Sequence, residues 1–164
     1  MKIRSLKPDD IPAASALLRR AAEEFILHES TPADAAVFLA EQGEEGMRGF
    51  LAQGYVYHLA EVDGALAGFI AMRERSHVYS LYVDKAFHRR GIARRLWETA
   101  RQAALAAGDG PGHPGVFTVN ASNHALPFYA TLGFVPTKPM QMGIVRYNPM
   151  HLVVRAGRPL VDPA

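Results

Sequence analysis

Ten residues, Phe87 to Leu96, read FHRRGIARRL and set four arginines and a histidine around a single glycine. Three chemistries suit such a stretch: a solvated basic surface, a nucleic-acid patch, or a helix start that holds a phosphate. The context favours the last. A β-rich run, HVYSLYV, ends at Val83, and a helical pattern opens at Gly91. The first N–H groups of a helix have no partner inside it, and the helix dipole places about half a positive charge there, so phosphate binds such ends. Gly91 lets backbone approach an anion without a Cβ in the way, and the small Ala93 serves the same need. The arginines add charge without defining shape.

The elements that must position this stretch follow from periodicity. KIRSL alternates as a short strand, and Pro8 and Asp9 open a helix with Ile11, Ala14, Leu18, Ala21 and Phe25 on one face. Residues 33–53, interrupted by Gly43, Gly46 and Gly49, read as two short helices. YVYHLAEV and ALAGFIAMRER flank Asp63-Gly64, a strong hairpin signal. HVYSLYV is apolar on both sides of its alternation and should be central. The helix after Gly91 should bury Ile92, Leu96, Ala100, Ala103, Ala104 and Ala107, with Gly108 as its end. GDGPGHPG is a loop, VFTVNA a strand, and HALPFYATLG a short helix with Pro127 in its first turn and Gly133 at its close. FVPTKP and GIVRYNPMHLVVR should be final strands, with Pro149 placing the latter at an edge or a bulge; GRPLVDPA is a tail. The order predicts one α/β domain over residues 1–164, with a mixed central sheet of about six to seven strands, about four flanking helices and a parallel crossover from Val78 to Ala121.

Composition narrows the function classes. The chain has 164 residues, 18 basic and 16 acidic, for a net charge of +2. That balance argues against a nucleic-acid partner. With no cysteine there is no disulfide, thiolate metal site or cysteine nucleophile, and no metal is expected. MKIRSLKPDD is too polar for a signal peptide, and no run reaches the ~18 apolar residues of a membrane span. A cytoplasmic protein with no membrane partner is the default, and a homodimer is open to it.

LYVDKAFHRRGIARRLW resembles the acyl-coenzyme-A binding motif of the GNAT N-acetyltransferase superfamily. Gly91 and Ala93 match the motif, and His88 stands where Gln or Arg is usual. VNASNHALPFYATLGF resembles the segment after the family's fifth strand, with Asn123, Tyr129 and the closing LGF. AEVDGALAGFIAM resembles the hairpin before the motif. These matches run in the family's order from Tyr55 to Phe134. The resemblance implies the family's fold and acetyl-CoA as acyl donor. It implies that the backbone of Leu81, Tyr82 and Val83 pairs with the pantetheine arm. The N–H groups of Arg89, Arg90, Gly91, Ile92, Ala93 and Arg94 would hold the pyrophosphate, with His88 beside them. Asn123 would bond the arm from the next strand; read by itself, it is equally a turn residue capping the following helix.

Acyl transfer from a thioester to an amine requires an unprotonated amine, a stabilised oxyanion and a proton for the departing thiolate. Tyr129 matches the family's general acid, and a phenol of pKa ~10 is protonated at neutral pH; the plainer reading is a buried aromatic. His77, at the start of the central strand, matches positions that relay the substrate proton and has the ordinary pKa of ~6.5 suited to that; as a surface histidine it would do nothing. Glu74, Glu24 and His28 are rival bases. A bulge in the central strand would supply N–H groups to the oxyanion. The acceptor pocket should lie between residues 25–29 and 147–151, with Glu24 and Glu29 available to a cationic amine. The expected activity is direct transfer of acetyl to a primary amine of a small molecule or peptide. The alternative is a non-catalytic acyl-CoA sensor on the same fold.

Overall fold

A computed structural model describes residues 1–107 and 112–154. Gly108, expected to end a helix, lies outside the described residues, as do part of the glycine-rich loop and the tail from 157. The strands are β1 (Lys2–Ser5), β2 (Val56–Val62), β3 (Ala65–Arg73), β4 (His77–Val83), β5 (Val116–Ala121), β6 (Val135–Pro136), β7 (Gln141–Met142) and β8 (Arg146–Val153). The helices are α1 (Ile11–Phe25), α2 (Pro32–Glu41), α3 (Glu44–Ala52), α4 (Ile92–Ala106) and α5 (Leu126–Thr131). The sheet runs β1-β2-β3-β4-β5-β8-β6, with β7 on β8. The mixed α/β architecture matches the expectation, with one strand and one helix more than the approximate counts.

Alternation along β3 explains why helices cover both faces. Phe69 and Ala71 point to one core with Ile11, Leu17 and Leu18 of α1 and Met47 of α3. Ile70 and Met72 point to the other, with Leu96 and Trp97 of α4 and Phe117, Tyr129 and Phe134. Trp97, edge-on to Phe117 and Phe134, fills the α4 face. Ala103 and Ala107, expected in that stripe, are exposed; α4 ends at Ala106, and Ala107 follows it in an extended conformation. The β2–β3 turn has positive φ at both Asp63 and Gly64, as a two-residue hairpin of the primed type requires.

Two departures from the expected strands have clear causes. β8 is not an edge strand: β5 pairs along one side and β6 along the other. Pro149 is tolerated because its carbonyl points to the β6 side, where it accepts from the Thr137 N–H. In a strand the N–H and C=O of one residue point the same way, so the missing donor faces the short β6 and spares the β5 ladder. FVPTKP contracts to the two residues of β6, and an unexpected short strand, β7, forms at Gln141–Met142.

Candidate acyl-transfer site

The site begins where the central ladder fails. β4 and β5 are parallel, but their register holds only at His77↔Thr118 and Val78↔Val119. Opposite this point the β3–β4 register slips, with Ala71 facing Ser80 and Met72 facing Val78, so Tyr79 is an extra residue on β4. A bulge of this kind bends its strand and raises its twist. Beyond it the two strands diverge, and the backbone of β4 from Ser80 to Val83 has no register partner on β5. Unpaired strand backbone is a ready surface for an extended ligand.

Two cavities open into this divergence. The larger, about 460 Å³, includes Leu81, Tyr82, Val83, His88, Arg89, Gly91, Ile92, Ala93, Arg94 and Tyr129 in its walls. The smaller, about 230 Å³, runs past His77, Tyr79 and Asn120 to Arg146 and Tyr147, with Phe38 of α2 and Gln42, which caps that helix, also in its lining. They share Ile26, Leu81, Tyr82, Ser122, Ala125 and Tyr129. Tyr129 is 4% exposed and sits where the two meet. Burial, with Tyr82 beside it, pushes its phenol well above the ordinary range, so it holds its proton.

The large groove ends on an anion cradle. Gly91 caps α4 with φ +73°, and a Cβ there would meet no protein atom within 4 Å. The left-handed backbone therefore favours glycine at this position, and open space lies in front of it. Arg89, two residues earlier, also has positive φ, +64°. A non-glycine residue in that region costs of order 1–3 kcal/mol. Left-handed residues next to a helix start turn successive N–H groups into one concavity, the geometry that binds phosphate. This cradle and the unpaired β4 backbone fit the pyrophosphate and arm of coenzyme A.

Some candidate residues stand elsewhere. Arg90 is absent from the groove and lies over the Phe87 ring at 5.4 Å. His88 stays in the wall, but its Nε2 donates to the Val83 carbonyl at 2.9 Å. The Asn123 side chain is occupied within the protein: its amide donates to Glu29 at 2.9 Å and its oxygen accepts from Asn148 at 2.9 Å. It lines neither cavity. Ser122 serves the turn before α5 instead, its Oγ accepting from the Ala125 N–H.

His77 lines the smaller cavity and shares a hydrogen bond with Thr118 through Nδ1 at 2.8 Å. Burial, with Arg73 adding to it, lowers its pKa to about 4. Of the rival bases, Glu24 pairs with Lys85, and Glu24, Glu74 and His28 line neither cavity. Of the expected acceptor wall at residues 147–151, only Tyr147 lines the smaller cavity, joined by Val145 and Arg146. Antiparallel register explains this: Thr118, at the closed end, faces His151, whereas Ala121, at the open end, faces Asn148.

Three features had no sequence signal. Phe25 at the end of α1 stacks on His124 across the large groove, centroids 4.3 Å apart. Gln42 donates to the Tyr79 hydroxyl at 2.8 Å, tying α2 to the bulge. Arg146 begins β8 in the wall of the smaller cavity. Among the described residues no helix is long and apolar enough to cross a membrane, and no cluster of three metal-ligating side chains occurs.

A family model described as an acetyltransferase (GNAT) domain matches residues 26–154. Solved structures of similar fold include a GCN5-related N-acetyltransferase from Rhodopseudomonas palustris, 20% identical with a TM-score of 0.77, covering 93% of this chain and 95% of that one. The PaiA N-acetyltransferase of Thermoplasma acidophilum, in complex with coenzyme A, is 15% identical with a TM-score of 0.76, over 93% and 98%. The yncA structure from Salmonella typhimurium, with its cofactor acetyl-CoA, is 22% identical with a TM-score of 0.65, over 100% and 99%. No curated protein matches this chain.

Proposed function

Because the chain belongs to the GNAT acetyltransferase family, we propose that it moves an acetyl group directly from coenzyme A to a primary amine of a small molecule or peptide, in the cytoplasm. The observation that carries this reading is the junction of two cavities at the β4–β5 divergence, with a protonated phenol buried at the meeting point. One cavity has the cradle for a pyrophosphate, and the other is left for the acceptor.

When bound, acetyl-CoA supplies an acyl group on a thioester whose sulfur departs as thiolate. The residues of the chain do the rest. The N–H groups around Arg89–Arg94 hold the phosphates, and the backbone of Leu81, Tyr82 and Val83 orients the arm. The bulge at Tyr79 lifts backbone donors out of the ladder, where they meet charge growing on the acyl oxygen. Tyr129 donates a proton to the leaving sulfur. His77, neutral through the physiological range, takes the amine proton on Nε2 when Nδ1–H is donated to Thr118. Direct transfer suits a chain without cysteine, which cannot form a cysteinyl intermediate.

The test is a broad amine panel with acetyl-CoA, reading free thiol and acetylated product. Amine-dependent thiol release above hydrolysis is expected. Coenzyme A binding with no release across the panel would establish a sensor instead.

A further inference from the structure

The small cavity reads the chemistry of the acceptor through the charges it holds and lacks. Among its lining residues there is no aspartate or glutamate, and the one formal charge is Arg146. Its other lining residues include the aromatics Phe38, Tyr79 and Tyr147 and the uncharged polar Gln42, Ser80, Asn120 and Ser122, with His77 neutral among them. Its volume of about 230 Å³ is below the ~300–1,000 Å³ usual for drug-sized ligands.

Arg146 retains hydrogen-bonding capacity. Its Nε is buried with no partner, and an unsatisfied buried donor is costly. Its one carboxylate neighbour, Glu29, lies at 4.0 Å from Nη1 and already accepts from Asn123 at 2.9 Å. A guanidinium with open donors matches a planar carboxylate. The other nearby charges are Arg73, which opposes protonation of His77, and Glu41, which acts on Tyr79 from the end of α2; neither lines the cavity.

We propose that the acceptor is a small amine that also carries a carboxylate, of α-amino-acid size, held by Arg146 with its amine toward the junction at Tyr129. This rests on the acetyl-transfer reading above. An acceptor gripped by its carboxylate needs no acidic residue for its ammonium. The positive guanidinium also favours the uncharged amine that attack requires. A polycation meets no carboxylate in the cavity lining and is repelled by Arg146.

The experiment compares matched acceptors: free amino acids, their α-carboxamides and the decarboxylated amines, with thiol release and product mass as readouts. Free amino acids should give kcat/KM at least tenfold above their carboxamides. Arg146→Gln should raise KM for the amino acid at least tenfold with coenzyme A affinity, by calorimetry, unchanged. Arg146→Lys should recover part of the loss, which a purely structural role would not produce. Turnover of carboxamides or polyamines at equal or better efficiency overturns the carboxylate assignment and leaves acetyl transfer standing. An equal loss on carboxylate and carboxamide acceptors in Arg146→Gln overturns it too. Thiol release that no amine raises above hydrolysis overturns both readings.

Discussion

At the scale of single residues, the proton work proposed for Tyr129 and His77 rests on groups whose ionisation is set chiefly by burial. Tyr129→Phe removes one hydroxyl and preserves the ring that packs on Phe128 and Phe134. Coenzyme A affinity should hold while turnover falls, by about tenfold at least and by no more than the ~10²–10⁴-fold typical of general acid–base catalysis. Thiolate leaves readily, so the smaller loss is the nearer expectation. Unchanged turnover with chemistry shown to be rate-limiting would assign Tyr129 to packing alone. For His77 the sequence suggests a titration near ~6.5, but its surroundings place it at about 4. The active form is the neutral ring, so kcat/KM should rise with pH through about 4 and stay level until the acceptor amine titrates. His77→Ala should abolish the acidic limb and keep that of the amine. Arg73→Ala should move the acidic limb upward, because the cation opposing protonation is gone. A limb that ignores both substitutions belongs to another group.

Elements decide the proposed coenzyme site, since the donors assigned to it are backbone. Gly91→Asp tests the cradle cleanly. Asp tolerates the left-handed conformation better than most residues, and a carboxylate at a helix start favours the helix itself. The fold should therefore survive while the anion is repelled. Calorimetry should show coenzyme A affinity down at least ~tenfold, about 1.4 kcal/mol; full affinity in the folded variant would remove the cradle assignment. Gly68 in β3 supports the same groove from behind. A Cβ there would stand 2.7 Å from the Tyr82 carbonyl and 3.2 Å from the Val83 Cα. Both are backbone atoms in the wall meant for the arm, and they yield only by moving β4. Gly68→Ala should cost about 1–3 kcal/mol by overpacking and weaken coenzyme A binding as well. Stability and affinity both at wild-type levels would show that β4 moves freely there.

For the whole molecule, these groups impose a two-stage loss of stability in acid. His77 is at about 4 in the folded chain and near its ordinary 6.5 when unfolded. Between those values the unfolded chain binds the proton that the folded chain refuses. Its contribution is thus complete above about 6.5 and is lost as pH falls toward 4. Burial lowers His58 as well, so it acts in the same direction. Asp10, held down chiefly by its hydrogen bond to Arg4, and Asp84, held by the Ala86 N–H, lie below their ordinary 3.8. Their contributions go only in the lower stage, as pH falls below about 4. Thermal melting from pH 7.5 to 3 should show the first decline between 6.5 and 4, made shallower by His77→Asn. A Tm flat through that window would show that His77 titrates normally.

Local pattern was enough for what depends on neighbours in the chain. The apolar spacing from Ile92 to Leu96 and Ala100 marks α4, Asp63-Gly64 marks the hairpin, and Gly91 after a β run marks the left-handed start of α4, because 3.6- and 2-residue periods and left-handed turns are written in consecutive residues. Trp97 was harder, since the arc it completes depends on where α4 rests on the sheet. Pro149 misled because the side of a strand that lacks its donor is set by register, not by residue type. The Asn123 amide faces Glu29, 94 residues away, and Asn148, 25 residues away; no local rule joins them. The same holds for the two cavities. Their existence depends on a one-residue slip at Tyr79 and on β4 and β5 parting after two residue pairs. That is a property of twist and packing across the sheet, so only the tertiary structure brings Tyr129, His77 and Arg146 around one opening.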